Sequence, residues 1–518
     1  MKAHLLYKDR DFNLHREPGW NEEALVRDLG LNTLYQSMAS GDAFILEIVR
    51  RVVVVSSVEP DEIAWRQAIL NDCIINEAVV RQLHAIALEA IEIEKKSYYS
   101  FFTASPSSVL HGSRELIQQF VGVLKKLRSL ADLQAASFQS AGFVRVFSMI
   151  QGELADDYFS MIQRCLKELK FNGGVLISAG VGRGNKGTQY ILRKPRDKDP
   201  NFLKRLLVKR PPSLTFRIAD RDENGARALA DLEARGINLV ANALAQSVDH
   251  ILSFFTMLRT ELAFYIGCIN LHADLKRRCL RVCVPVPLPR NDRQLACDGL
   301  YDASLALRME HAPVGNDVRG DGMELLIITG ANQGGKSTFL CAVGLAQVMM
   351  QCGMFVAAES FSANVCDGIY THYKREEDAS MRSGKLDEEL RRMSEIVERI
   401  QEHSLLLSNE SFAATNEREG PEIARQIIAA LLEKRVKIVF VTHLYTLAHA
   451  LYERRTQDMM FLRAQREPDG ERTFKLTEAE PLQTSYGEDL YRQIFLSQRG
   501  GQTDVASAPV PDCLAKAG

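Results

Sequence analysis

Between about residue 20 and residue 170, apolar positions recur at three- and four-residue steps with charges between them. The segment DEIAWRQAILNDCIINEAVVRQLHAIALEAIEIEKK (61–96) shows this spacing. SRELIQQFVGVLKKLRSLADLQ (113–134) and GELADDYFSMIQRCLKELK (152–170) repeat it. A period near 3.6 predicts amphipathic helices that bury one stripe against each other rather than carry chemistry. The character changes at Phe171, where Gly, Pro and β-forming residues predict hairpins joined by loops. Helical spacing returns over 226–278, so the pattern predicts one helical domain interrupted by a small β insertion.

After the Pro-rich CVPVPLPRNDRQ (283–294), apolar runs alternate with helical stretches: MELLIITG, STFLCAVGLAQVMM, SLLLSNE, GPEIARQIIAALLEK and VKIVFVTH. That alternation predicts an α/β domain with a largely parallel sheet, SLLLSNE lying beside MELLIITG. The expected boundaries are 1–170 and 223–290 for the helical part, 171–222 for the insertion, 291–495 for the α/β domain and 496–518 for a disordered tail.

The chain's 518 residues are too many for one core. A net charge of −2 excludes a globally basic nucleic-acid coat but not a local patch. The patch is between Arg183 and Arg217, where eleven Lys/Arg face two Asp, a local net of +9, with Tyr190 and Phe216 among them. One reading is a solvated loop. The other is a hairpin lying along a phosphate backbone, with Arg183, Lys186, Arg193, Lys194, Arg196, Lys209 and Arg210 as its contacts. Ten Cys without any CxxC pair predict reduced thiols. The N-terminus shows no signal-peptide pattern. The apolar run 343–358 contains two Gln and is too short to span a bilayer, so the expectation is a soluble cytoplasmic protein with no membrane partner.

GANQGGKS (330–337) fits G-x-x-x-x-G-K-[ST], with an apolar strand before it and a helix-forming run after it. Such a loop turns backbone N–H groups toward phosphate oxygens; Lys336 supplies charge, and the Ser337 hydroxyl is placed to hold Mg²⁺. LLLSNESF (405–412) ends in Asn409-Glu410, an amide where a carboxylate is expected, followed by an acid able to orient or deprotonate a water. KIVFVTH ends in His443, within reach of a γ-phosphate or that water.

LLIITGANQGGKSTFL closely resembles the Walker A segment of the MutS family of DNA mismatch repair ATPases, T-G-P-N-M-G-G-K-S-T. LLLSNESFAATNEREG resembles that family's D-E-I-G-R-G-T-S-T-x-x-G, which sets Asn409 on Asp, Glu410 on Glu, Thr415 on the first Thr and Gly420 on the last Gly. VFVTH matches A-T-H, and TSYG (484–487) matches S-Y-G.

The resemblance implies an ABC-type P-loop ATPase domain that binds ATP and Mg²⁺ through Gly330, Ala331, Asn332, Gln333, Gly334, Gly335, Lys336, Ser337 and Thr338. Asn409 would reach the metal through a water, Glu410 would be the catalytic acid/base and His443 the γ-phosphate sensor. It implies dimerisation through the ATPase domains, with EDASMRSGKL (377–386) completing the neighbour's site through Ser380 or Ser383, of which Ser383 is favoured because Gly384 and Lys385 follow it. It implies a lever and clamp for the helical domain and its insertion, acting on duplex, mismatched or branched DNA. The chain is expected to be a short form with no N-terminal mismatch-reading domain. The competing reading is a low-turnover, ATP-switched binding protein acting on ribosomes or structured RNA.

Overall fold

The computed structural model describes residues 1–98, 105–172, 174–194, 214–215, 217–375, 384–413, 418–467 and 471–483. The chain forms two compact units. The first comprises residues 1–16, 38–52 and 64–271, the second 17–37, 53–63 and everything from His272 onward. Two short pieces of the stretch expected to belong to the helical part, residues 17–37 and 53–63, fall in the second unit. Helical periodicity shows that a stripe is buried, not what it is buried against.

The first unit is built from helices Glu77–Tyr98, Pro106–Gln134, Ala141–Glu153 and Asp156–Glu168, together with the 55-residue helix Glu223–Arg277 as far as Leu271. Ser105 starts the second of these by accepting the Ser108 N–H, with Pro106 in the first turn. The core comprises Phe120, Phe143, Phe147, Phe255, Leu258, Leu262 and Phe264. The long helix holds one window apolar enough to cross a membrane, of mean hydropathy 1.3, and 72% of that window is buried inside the protein, as in a core helix.

The insertion contributes one described hairpin, β1 (Ile177–Val181) antiparallel to β2 (Gly187–Leu192), with Val181 opposite Gly187. Arg183 and Lys186 stand at its exposed tip and have no acidic partner among the described residues. Lys194 pairs with Glu168 at 2.8 Å, and Arg193 Nε donates to Ser178 Oγ at 2.9 Å. Tyr190 is half-buried, with the Arg235 guanidinium 5.7 Å from its ring centre, so this aromatic is engaged within the unit rather than free for a base.

The second unit carries two sheets. A smaller one has the order β3 (Val286–Leu288), β7 (Ser360–Asn364), β4 (Leu295–Leu300), β5 (Asn316–Gly320). The six-stranded one has the order β12 (Arg472–Glu478), β11 (Met459–Arg466), β6 (Leu325–Gly330), β10 (Lys437–Val441), β9 (Leu405–Asn409), β8 (Ile369–Tyr373). All its neighbours are parallel except β12 against β11.

The expected adjacency of β9 and β6 is therefore corrected: β10 lies between them. β8 and β9 are each followed by a helix and a return of one place along the sheet, so the second return sets β10 beside β6; the return after β10 crosses β6 and sets β11 on its other side. Helix Lys336–Gln351 still lies on β9, because Gly344 has no side chain there. A Cβ on it would come within 2.5 Å of Leu407 and 2.6 Å of Leu29.

Candidate functional site

β6 ends at Gly330, and the chain wraps through Ala331–Gly335 into helix Lys336–Gln351. Three positions of this wrap have positive φ: Gly330 at +109 and Gly335 at +89, which glycine takes without cost, and Gln333 at +59. A Cβ on Gly330 would also strike the Ala464 backbone nitrogen at 2.8 Å. Lys336 is buried, and its Nζ donates to the carbonyl oxygens of Gly330 at 3.0 Å and Ala331 at 2.9 Å. Burial lowers its pKa, while the Glu410 carboxylate opposes the shift.

Ser337 Oγ donates to Asn409 Oδ1 at 2.9 Å. The loop and the end of β9 therefore meet across the intervening strand, and two neutral oxygen donors converge. Glu410 follows with φ +54, its N–H donating to Val441 O at 2.9 Å. Its carboxylate lies 3.9 Å from His443 Nδ1. The His443 side chain, then the nearby Lys374 and Lys336 charges, hold the Glu410 carboxyl below its usual range against the effect of burial. An ionised carboxylate beside an imidazole, facing a lysine and a phosphate-type loop, can take a proton from a water.

Asn332, Gln333, Gly334, Gly335, Lys336, Ser337, Thr338 and Glu410 line one cavity of about 410 Å³. Its other wall consists mainly of Leu300, Leu305, Met309, Pro313, Val314 and Phe474, none of which the sequence patterns marked. Asn316 fastens this wall: its Nδ2 donates to Phe474 O at 3.2 Å and its Oδ1 accepts the Leu476 N–H at 2.7 Å. Apolar residues in the loop MEHAPVG (309–315), outside any periodic element, were the available signal.

Ser383, Thr415, TSYG (484–487), Arg196, Lys209 and Arg210 lie outside the described residues. Arg183, Lys186, Arg193 and Lys194 lie in the first unit. Among the described residues no cluster of three or more His, Cys, Asp or Glu could hold a metal ion, and nine cysteines are free.

Family models match two stretches of the chain, the MutS2 N-terminal domain over residues 58–278 and MutS domain V over residues 326–498. The human MutS protein homolog 4 is 26% identical over 307 residues, which cover 58% of this chain and 32% of that protein. Endonuclease MutS2 of Thermus thermophilus is 38% identical over 120 residues, 23% of this chain and 16% of that protein. DNA mismatch repair protein MutS of Clostridium kluyveri is 34% identical over 222 residues, 42% of this chain and 25% of that protein. The chain thus spans about a third or less of the length of these relatives.

Proposed function

The chain belongs to the MutS family, and on that footing we propose that it is a DNA-binding ATPase of mismatch repair or recombination. The observation that carries this reading is the convergence of Ser337, Lys336 and Glu410 at one cavity with an apolar wall, with Asn409 accepting from the Ser337 hydroxyl. Gly330–Thr338 bind the phosphates through backbone N–H groups and Lys336, and the wall beside Phe474 takes the base.

Ser337 and Asn409 offer the hard oxygen atoms that Mg²⁺ prefers, Asn409 through a water. An ion held by these two residues would supply charge neutralisation to the transferred phosphoryl group. Glu410 accepts the proton of the attacking water, and His443 orients the Glu410 carboxylate and senses the γ-phosphate. Lys336 takes up the charge that develops on the phosphate oxygens.

Two chains pair through their ATPase units, Ser383 reaching the neighbour's nucleotide. The basic hairpin contacts duplex, mismatched or branched DNA, and ATP binding and hydrolysis switch that grip. Competition binding of branched DNA, duplex DNA and structured RNA, each over a salt series, tests the partner. DNA should win and the grip should change with ATP; preference for RNA would contradict the reading.

A further inference from the structure

Behind the turn that carries Glu410 lies a set of buried polar groups that the reaction does not use. Glu410 and Phe412 both have left-handed backbone, at φ +54 and +63. For a side chain as bulky as Phe412 that conformation is an outlier, and the surroundings must hold it. The Phe412 N–H donates to Glu389 Oε2 at 2.9 Å. The Phe412 ring is buried and stacks on His372, with centroids 5.5 Å apart.

Ser411 Oγ lies 2.6 Å from both His372 Nδ1 and Ser408 Oγ, and His372 Nε2 lies 3.1 Å from Glu389 O. Burial pushes the His372 pKa down to about 3, so the ring is neutral and carries one N–H. That proton is on Nε2, because the Glu389 carbonyl can only accept. Nδ1 then accepts from the Ser411 hydroxyl, which also has the His372 carbonyl oxygen as an acceptor at 3.0 Å and itself accepts from Ser408. The donors run in one direction from β9, through the turn and β8, to helix Lys385–Arg399.

We propose that Glu389 is a positioning residue for hydrolysis: its carboxylate, bonded to the Phe412 N–H, fixes the turn that aims Glu410 at the attacking water. This rests on the ATPase reading of the site. Glu389 does not line the nucleotide cavity, so its loss acts on the chemical step and leaves nucleotide binding in place. Burial raises the Glu389 pKa, the Phe412 N–H opposing.

The test measures single-turnover ATP hydrolysis, KM and fluorescent-nucleotide affinity on the full chain. Glu389→Gln keeps an acceptor oxygen for the Phe412 N–H, whereas Glu389→Met keeps the volume and removes the acceptor. Glu389→Ala, which leaves a cavity instead, is the second variant without an acceptor. The Met and Ala variants should hydrolyse about 10²-fold more slowly, as misplacement of a catalytic group costs, with KM and affinity within about threefold of native. The Gln variant should stay within about threefold of the native rate. Native rates in the Met and Ala variants, a Gln variant as slow as Met, or affinity that falls in step with rate would each overturn the proposal. A native protein no faster than Glu410→Gln would overturn the ATPase reading and this role with it.

Discussion

The Ser337 hydroxyl donates to Asn409 Oδ1 at 2.9 Å, joining the first residues of the glycine-loop helix to the end of a strand two places away in the sheet. Asn409 therefore sits where an acid is expected and keeps the contact that such an acid would make. What it lacks is one negative charge beside the proposed Mg²⁺ position.

Asn409→Asp restores that charge. The variant should bind Mg²⁺ more tightly, by about tenfold on the scale of a charge-assisted over a neutral contact, with hydrolysis unchanged or faster. Titration of Mg²⁺ against phosphate release reads both. Complete loss of activity would show that the amide is required.

How much of this was legible beforehand follows from how local each feature is. The loop Gly330–Thr338 could be read because its chemistry is in the backbone of consecutive residues. Asn409 and Glu410 could be read because an apolar run ends on them. The order of β9 and β10 could not, since both are equally apolar and strand order is decided by crossovers. The wall formed by Leu300, Met309, Val314 and Phe474 brings together residues more than 150 positions apart in sequence, and the apolar residues of the loop 309–315 are the one local sign of it. Nor does helical spacing show that residues 17–37 pack with the second unit.

Phe474→Ala should weaken nucleotide binding by about 1–3 kcal/mol, the usual worth of an aromatic against a base. KM should rise while kcat holds, because the wall binds ground state and transition state alike. A fall in kcat at constant KM would place Phe474 elsewhere in the cycle.

His443→Ala should move the acid limb of the rate profile. The His443 side chain is the main cause of the depressed Glu410 pKa, so Glu410 remains an ionised base at pH values below the usual carboxylate range. Without His443 the Glu410 pKa rises, and the residual activity should be lost at a higher pH as acid is added. His443→Gln, which keeps a donor, should shift the limb less. A limb at the same pH in all three proteins would separate His443 from Glu410.

Arg183→Glu with Lys186→Glu alters only the exposed hairpin tip. DNA affinity should fall similarly for all sequences, and the slope of log affinity against log salt should shrink by about one per lost phosphate contact. Basal ATP hydrolysis without DNA should be unchanged. An unaltered salt slope would remove the tip from the DNA contact.

The most direct measurement compares steady-state phosphate release by native protein and Glu410→Gln, each without DNA, with duplex and with branched DNA. The account predicts Mg²⁺-dependent release by the native protein that changes when DNA is added. In the variant, release should be lost while ATP is still bound. Equal rates in the two proteins under all three conditions would contradict it.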